Sequence, residues 1–313
     1  MTRNECALWL QEHDHFCILT HARPDGDTIG SATALCIGLR QLGKTAHVLH
    51  NAGASPFLNR CLLGLTVDAP ENTDTLICVD VATPHLLPEE HRQYLNRLSL
   101  RIDHHATSVS FTELELVDPA SAATGEMVYE LLRDCGAEMT KEIAWRLYIA
   151  ISTDTGCFRY SNTTAHTYRV AAACAETGAD LYPITQELFD TTSISELKLQ
   201  NWIVEHALFL CEGKVAICGI PAAMENNVSR EDLEGVSGFL RSIEGVRISA
   251  TLREIEGGCK VSVRAVPGLD AGAICTRFGG GGHKGAGGAN LALPMESAMN
   301  VVAAALKSAL EEV

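Results

Sequence analysis

The sequence predicts a doubly wound, mainly parallel α/β sheet followed by a smaller α/β lobe with a mixed sheet, the two joined by a linker helix. Three observations carry this expectation. Through the first 190 residues, short apolar runs alternate with amphipathic helical stretches, the pattern of strand–helix crossovers in a parallel sheet. The stretch from Ser193 to Leu210 then reads as one continuous helix. After Gly213 the texture changes to a second set of strand-like and helix-like runs. The expected boundaries are a first domain at 1–190, a linker helix at 191–212 and a second domain at 213–313.

In chain order, Glu5–His13 reads as a helix and Phe16–Thr20 as a strand. A helix over Thr28–Leu42 is closed by Gly43, placed where helix-stop glycines stand. Strands follow at Thr45–His50 and Thr75–Val79, then a helix at Pro88–Asn96, then strands at Ser99–Ile102 and Phe111–Leu116. Helices at Ala123–Cys135, closed by Gly136, at Lys141–Thr153 and at Thr164–Glu176 complete the first lobe. The helix after Ser193 carries Leu197, Trp202, Ile203 and Leu208 among its apolar members. In the second lobe Lys214–Ile220, Ile248–Glu254 and Lys260–Ala265 read as strands. Arg230–Ile243, Ala271–Phe278 and Met295–Leu310 read as helices.

Composition bounds the function. The chain has 313 residues, 46% of them hydrophobic, enough for a large core or two smaller ones. A net charge of −15 excludes a fold-wide basic surface for duplex DNA. It leaves room for a phosphate ester neutralised locally by metal ions and a few arginines. No run approaches 18 uninterrupted apolar residues, so no membrane span is expected. Met1-Thr2-Arg3-Asn4-Glu5-Cys6 lacks a signal-peptide pattern, and a cytoplasmic location is expected. The 12 cysteines include no Cys-x-x-Cys pair. Most sit in apolar company, as in Leu35-Cys36-Ile37, and read as buried reduced thiols in a reducing compartment.

The chemistry gathers where apolar runs end. Phe16–Thr20 delivers His21-Ala22-Arg23-Pro24-Asp25-Gly26-Asp27. Thr75–Val79 ends in Asp80, Leu98–Ile102 in Asp103-His104-His105, and Tyr148–Thr153 in Asp154. In an open parallel sheet, strand ends border a crevice. Pro24 and Gly26 hold the first loop out of helical conformation, so one turn aims His21, Asp25 and Asp27 into a small volume. Gly30, Ser31 and Ala32 are expected to let the next helix start close to the sheet. Each acid alone reads equally well as a helix cap, but Asp154 at a helix C-terminus is electrostatically disfavoured and calls for a cation. Five carboxylates with two or three imidazoles exceed the needs of one ion. Two ions about 3.5–4 Å apart would use them. Mixed oxygen and nitrogen donors favour Mn²⁺ over Mg²⁺, and the absence of thiolate ligands argues against structural zinc.

These four segments resemble the four motifs of the DHH phosphoesterase superfamily. Gly279-Gly280-Gly281-Gly282-His283-Lys284-x-Ala286-Gly287-Gly288 resembles the signature of its DHH-associated domain. Length and layout are similar to the branch that combines nanoRNase with 3′-phosphoadenosine 5′-phosphate phosphatase. The resemblance implies a DHH catalytic domain and a substrate-binding DHH-associated domain. It implies two Mn²⁺, with Mg²⁺ or Co²⁺ as substitutes: His21, Asp25 and Asp80 on one, and Asp27, Asp80, His104 and Asp154 on the other. Asp103 is implied to orient His104, and His105 to contact the phosphate or protonate a leaving oxygen. Arg159 would reach the phosphate, with Ser161 and Thr163 beside it in the substrate-facing segment.

In the second lobe, four consecutive glycines are expected to form neither helix nor strand. They would let the backbone approach a ligand and offer N–H groups to an anion. By the resemblance, Gly280, Gly281, Gly282, His283 and Arg264 would bind substrate. Arg264 lies in Ser262-Val263-Arg264, followed by Ala265 where the family commonly has serine, which puts one hydrogen bond in doubt. The implied substrates are short single-stranded RNA, cut to 5′-mononucleotides, and 3′-phosphoadenosine 5′-phosphate. No duplex DNA or membrane partner is implied; a homodimer is an open option. The alternatives are a soluble cyclic or linear dinucleotide phosphodiesterase and, from another class, a non-catalytic nucleotide sensor. A Rossmann dehydrogenase is disfavoured because no Gly-x-Gly-x-x-Gly follows the first strand.

Overall fold

The computed structural model describes residues 1–225, 228 and 230–312, with the backbone alone at 225, 230, 231 and 234. The end of the expected second domain, residue 313, lies outside them. The chain divides into two compact units, Met1–Asp190 and Thr191–Val313.

The first unit runs α1 (Arg3–Glu12), β1 (Phe16–Leu19), α2 (Gly26–Gln41), β2 (Ala46–Leu49), α3 (Pro56–Leu62), β3 (Thr66–Val67), β4 (Thr75–Val79), β5 (Leu98–Asp103), β6 (Leu114–Val117), α4 (Thr124–Asp134), α5 (Lys141–Asp154), α6 (Ala165–Glu176) and α7 (Tyr182–Thr185). Its sheet has the order β3-β2-β1-β4-β5-β6 and is parallel throughout. Phe16 and Ile18 share one core with α2, α4 and α5, while Leu87, Tyr94, Leu95 and Phe111 from turns and loops cover Cys17 and Leu19 on the other face, so β1 reads as an unbroken apolar run and is buried at every position. Strand order reverses between β1 and β4. Such a reversal opens a crevice at the carboxyl ends, and the loops carrying His21–Asp27 and Asp80 leave from those two ends.

Two details differ from expectation. Pro88–Asn96 forms 3₁₀ turns over Glu89–Arg97 rather than an α-helix, with His91 buried and Tyr94 and Leu95 partly buried against the sheet. Of the small residues at the start of α2, Gly30 faces α5, while Thr28 Oγ1 of the same turn reaches the sheet at the Val79 carbonyl, 3.1 Å away. A side chain on Gly30 would come within 2.5 Å of the Arg146 carbonyl oxygen and 2.9 Å of the Ala150 nitrogen.

The second unit runs α8 (Ile194–His206), β7 (Leu208–Leu210), β8 (Val215–Ile220), α9 (Ala222–Glu225), α10 (Arg230–Gly235), β9 (Ile248–Ile255), β10 (Gly258–Ala265), α11 (Ala271–Thr276), β11 (Gly281–His283), β12 (Ala286–Leu291) and α12 (Met295–Glu311). The sheet order is β11-β12-β10-β9-β8-β7. It is mixed, β8 and β9 being its parallel pair. One core joins Val215, Ile248, Val261 and Val263 to α11 and α12. Another sets Ala216, Cys218 and Ile220 against Leu199 and Ile203 of α8. The helix expected to run to Leu210 ends at His206. Ala207 turns extended, and Leu208–Leu210 pairs with β8. The helix expected over Arg230–Ile243 breaks into α10 and two 3₁₀ turns at Val236–Gly238 and Leu240–Ser242, where Gly235 and Gly238 weaken it.

The glycine run also differs. Gly281–His283 is a strand, paired with Ala286–Leu291 in a hairpin. The glycines serve close packing of backbone on backbone: a side chain on Gly287 would meet the Ala271 carbonyl oxygen at 2.5 Å. A paired neighbour stabilises a strand that glycine propensity alone disfavours.

Candidate metal centre

Asp27 lies in the first turn of α2 and is fully enclosed. It accepts hydrogen bonds from Ser31 Oγ at 3.0 Å, Thr124 N at 2.7 Å and Gly125 N at 2.9 Å. Two of these donors are orphan amides at the start of α4, where a carboxylate is favoured. Burial, then the carboxylates of Asp80 and Asp154, push the Asp27 carboxyl well above its usual range. Asp25 caps the same helix, accepting from Thr28 N at 3.1 Å. The cap and the cluster therefore use one residue.

Asp80 follows β4 with φ +60°, a left-handed conformation that aspartate tolerates better than most residues. Its oxygens face two ways. Oδ2 is 3.6 Å from His21 Nε2, which is also 3.6 Å from Asp25 Oδ1. Oδ1 accepts from Thr124 Oγ1 at 2.9 Å and is 3.8 Å from His104 Nε2. Burial opposes the Asp80 charge, but the imidazoles of His21, His105 and His104 hold its carboxyl below the usual range.

His104 Nδ1 donates to the Ser121 carbonyl at 3.1 Å. That bond turns Nε2 toward Asp154 Oδ2 at 3.2 Å and Asp27 Oδ2 at 3.8 Å. Burial lowers the His104 pKa, but Asp154, Asp27 and Asp80 overcome it and raise it to about 11. His21 rises to about 10 in the same way, with Asp25 and Asp80 outweighing burial.

The expectation for Asp103 is corrected. Its Oδ1 accepts from His105 Nδ1 at 2.8 Å and from His105 N at 3.2 Å. It orients His105, while a backbone carbonyl orients His104. The strand geometry explains this: Asp103 closes β5 pointing into the first unit, and the chain turns so that the second histidine comes back over it.

Three groups of donors result: His21, Asp25 and Asp80; Asp27, His104 and Asp154; and Asp80, His104 and His105. Within each, the donor atoms lie within 4.8 Å of one another. The donor set fits hard divalent cations, since enclosed carboxylates at this separation need a counter-charge and the histidines supply neutral nitrogen donors. Sequence reasoning missed Ser31, Thr124, Gly125 and Ser121, which fix the donors. The one signal was Ala123-Thr124-Gly125 at a helix start.

Gly156, Cys157 and Phe158 are all at positive φ, which folds the chain back over the end of α5. Asn162 Nδ2 secures that turn to the carbonyls of Ala122 and Asp154, at 3.1 Å each. Arg159 Nε donates to Gly156 O at 2.6 Å, and its guanidinium lies 5.9 Å from the Phe189 ring centre. Ser161 is exposed. The Thr163 hydroxyl is buried with no hydrogen-bond partner among the described residues.

In the second unit, strand register aligns Arg264, Ala286 and His283 in one row. Arg264 Nη2 donates to Ser237 Oγ at 2.9 Å. Gly281 pairs with Gly288, Gly282 with Gly287, and Gly280 leads into the hairpin. Ala265 lies in the core on the opposite face, so a serine there would face apolar neighbours.

Residues 15–151 match the DHH family, N-terminal domain, and residues 212–312 match the DHHA1 domain. The bifunctional oligoribonuclease and PAP phosphatase NrnA of Thermus thermophilus is 35% identical over 301 residues, 94% of this chain and 89% of that one. The protein of the same name from Bacillus subtilis is 24% identical, over 92% of this chain and 93% of its own. Among solved structures, an exopolyphosphatase-related protein from Bacteroides fragilis superposes with a TM-score of 0.84 at 24% identity, covering 98% and 96% of the two chains. RecJ from Thermus thermophilus, solved with Mn²⁺, gives 0.52 at 13% identity, over 99% of this chain and 55% of RecJ.

Proposed function

Because the chain belongs to the DHH family, with a DHHA1 domain in its second unit, we propose that it is a metal-dependent phosphodiesterase and phosphatase acting on short oligoribonucleotides and on 3′-phosphoadenosine 5′-phosphate. The products are 5′-mononucleotides in the first case and AMP with phosphate in the second.

The observation that carries the reading is Asp80, enclosed and left-handed, with one oxygen toward His21 and the other toward His104. In this reading His21, Asp25 and Asp80 hold one Mn²⁺, and Asp27, Asp80, His104 and Asp154 hold the other. Bound there, the ions supply Lewis acidity toward phosphoryl oxygens and acidify water.

The chain's own groups do the rest. Ser121 fixes the His104 tautomer so that Nε2 is the donor. Thr124 and Gly125 at the head of α4 hold the Asp27 carboxylate in its aim. Asp103 holds the Nδ1 proton of His105, which leaves Nε2 to meet a phosphoryl or leaving oxygen. Arg159, Ser161 and Thr163 bind phosphate and sugar in the first unit. Arg264, His283 and the amides of Gly280, Gly281 and Gly282 do so in the second.

The test is a substrate panel with Mn²⁺, Mg²⁺ and Co²⁺ in turn: 3′-phosphoadenosine 5′-phosphate, RNA of two to five nucleotides, cyclic di-AMP, pyrophosphate and no substrate. Hydrolysis of the first two, fastest with Mn²⁺, is expected. Phosphate release from pyrophosphate alone, or turnover of the cyclic dinucleotide alone, overturns the substrate assignment. Nucleotide binding without hydrolysis under any metal points to a sensor.

A further inference from the structure

Arg101 heads the fully buried side chains of the chain by volume and is 1% exposed. A guanidinium enclosed in the middle of a strand is costly unless its protons are met by anions or carbonyls. Here Nη1 donates to Val81 O at 3.4 Å, Ala82 O at 3.3 Å and Asp103 Oδ2 at 3.2 Å. Nη2 pairs with Glu115 Oε2 at 3.1 Å on the neighbouring strand. The Phe111 ring covers one face, its centre 5.1 Å from the guanidinium carbon. Nε has no hydrogen-bond partner among the described residues. The fork is thus turned toward Asp103 and the chain after Asp80 at the expense of one of its own donors.

Two links meet in this one group. Residues 101 and 103 point to the same side of β5, so Arg101 holds one oxygen of Asp103 while the other holds His105 Nδ1 at 2.8 Å. His105 Nδ1 in turn lies 3.5 Å from Asp80 Oδ1. Val81 and Ala82, whose carbonyls take the same Nη1, directly follow the left-handed Asp80. One buried cation therefore ties the loop that carries Asp80 to the strand end that carries both histidines. A lysine has neither the reach nor the fork to make these bonds at once.

We infer that Arg101 is a positioning residue for the phosphoryl transfer proposed above: it locks Asp103, so that His105 keeps its proton on Nδ1 and presents Nε2 to the substrate. This rests on that functional reading.

The test uses the full chain loaded with Mg²⁺, comparing wild type with Arg101→Met, His105→Gln and the double variant. Nitrogen-15 NMR of the histidines is expected to place the His105 proton on Nδ1 in wild type and to find mixed tautomers in Arg101→Met. With metal uptake unchanged, kcat on a dinucleotide should fall about a hundredfold, with KM within about twofold. In the His105→Gln background, Arg101→Met should cost little more than about twofold. A merely structural arginine predicts independent losses in the double variant and an unchanged tautomer; either result overturns the inference. Should Arg101→Met fail to fold, Arg101→Lys keeps the charge, and it must show the same tautomer mixing and the same lack of additivity. A chain that hydrolyses nothing yet switches tautomer overturns the functional reading and upholds the hydrogen-bond chain.

Discussion

At the scale of single residues, Asp80 carries both a charge and a left-handed backbone. Asp80→Asn should lower kcat roughly 10³-fold or more, the scale of losing a preorganised charge at a reacting centre. In the metal-free form it should lose the pairing of Asp80 with the His21 and His104 imidazoles but add no backbone strain, because asparagine also tolerates the left-handed conformation. Asp80→Ala should be equally inactive and less stable by about a further 1–2 kcal/mol from backbone strain; urea denaturation of the pair measures the difference. A second prediction concerns protons. His21 and His104, raised to about 10 and about 11 by their carboxylates, are protonated in the metal-free chain at neutral pH. Their pairing stabilises that form fully below the unfolded value near 6.5, and the stability is lost as pH rises through the raised values. A cation must displace those protons. Metal affinity should therefore climb with pH between about 7 and 9, by about 1.4 kcal/mol per pH unit for each proton released. Calorimetry in buffers of different ionisation heat counts them, and a pH-independent affinity would remove both histidines from the ligand set. At this scale the donors themselves were legible, because each ends an apolar run. Their supports were not: Thr124, Gly125 and Ser121 act through a helix start and a backbone carbonyl, and their spacing in the chain from Asp27 and His104 carries no signal. Arg101 was hidden in a stretch that reads simply as strand.

At the scale of elements, α2 and α5 carry Asp27 and Asp154, and their separation sets the separation of those acids. Gly30→Ala should force the helices apart against the Arg146 carbonyl, destabilising the first unit by about 1–3 kcal/mol and weakening metal binding along with it. Gly43→Ala, at φ +80° with nothing within 4 Å of the added methyl, should cost about 1 kcal/mol of strain and leave metal affinity unchanged. Thermal melts with and without Mn²⁺ distinguish the two. Strands of the parallel sheet were readable because both faces are buried and the apolar runs are continuous. The short α3 and β3 went unseen, since seven and two residues carry too little periodicity to register. The hairpin at Gly281–His283 was misjudged because its strands are held by their partners and by tight backbone packing, neither of which propensity records.

At the scale of the whole molecule, ten of the twelve cysteines are buried, while Cys157 and Cys211 are partly exposed. Burial pushes thiols such as Cys6 and Cys174 up to about 12, far from the thiolate that reacts. A thiol reagent at pH 8 should modify two cysteines of the native chain quickly and all twelve only after unfolding; fast modification of more than two would place the others outside the cores. Among the described residues no helix is long and apolar enough to cross a membrane, in line with the absence of long apolar runs. A change of texture after Gly213 was visible in the sequence. Where α8 belongs was not, because the sequence shows its apolar positions without showing that Leu199 and Ile203 pack on β8. The order of the first sheet has a consequence for biosynthesis. β1 lies between β2 and β4, so the strand that launches His21 gains its second neighbour only when β4 has been translated, and Asp154 emerges later still. At about 5–20 residues per second, the ribosome takes roughly 7–27 s to travel from the first of these groups to the last. The nascent chain carries its cluster of carboxylates and imidazoles half-built through that interval, so the full donor set exists only late in its maturation.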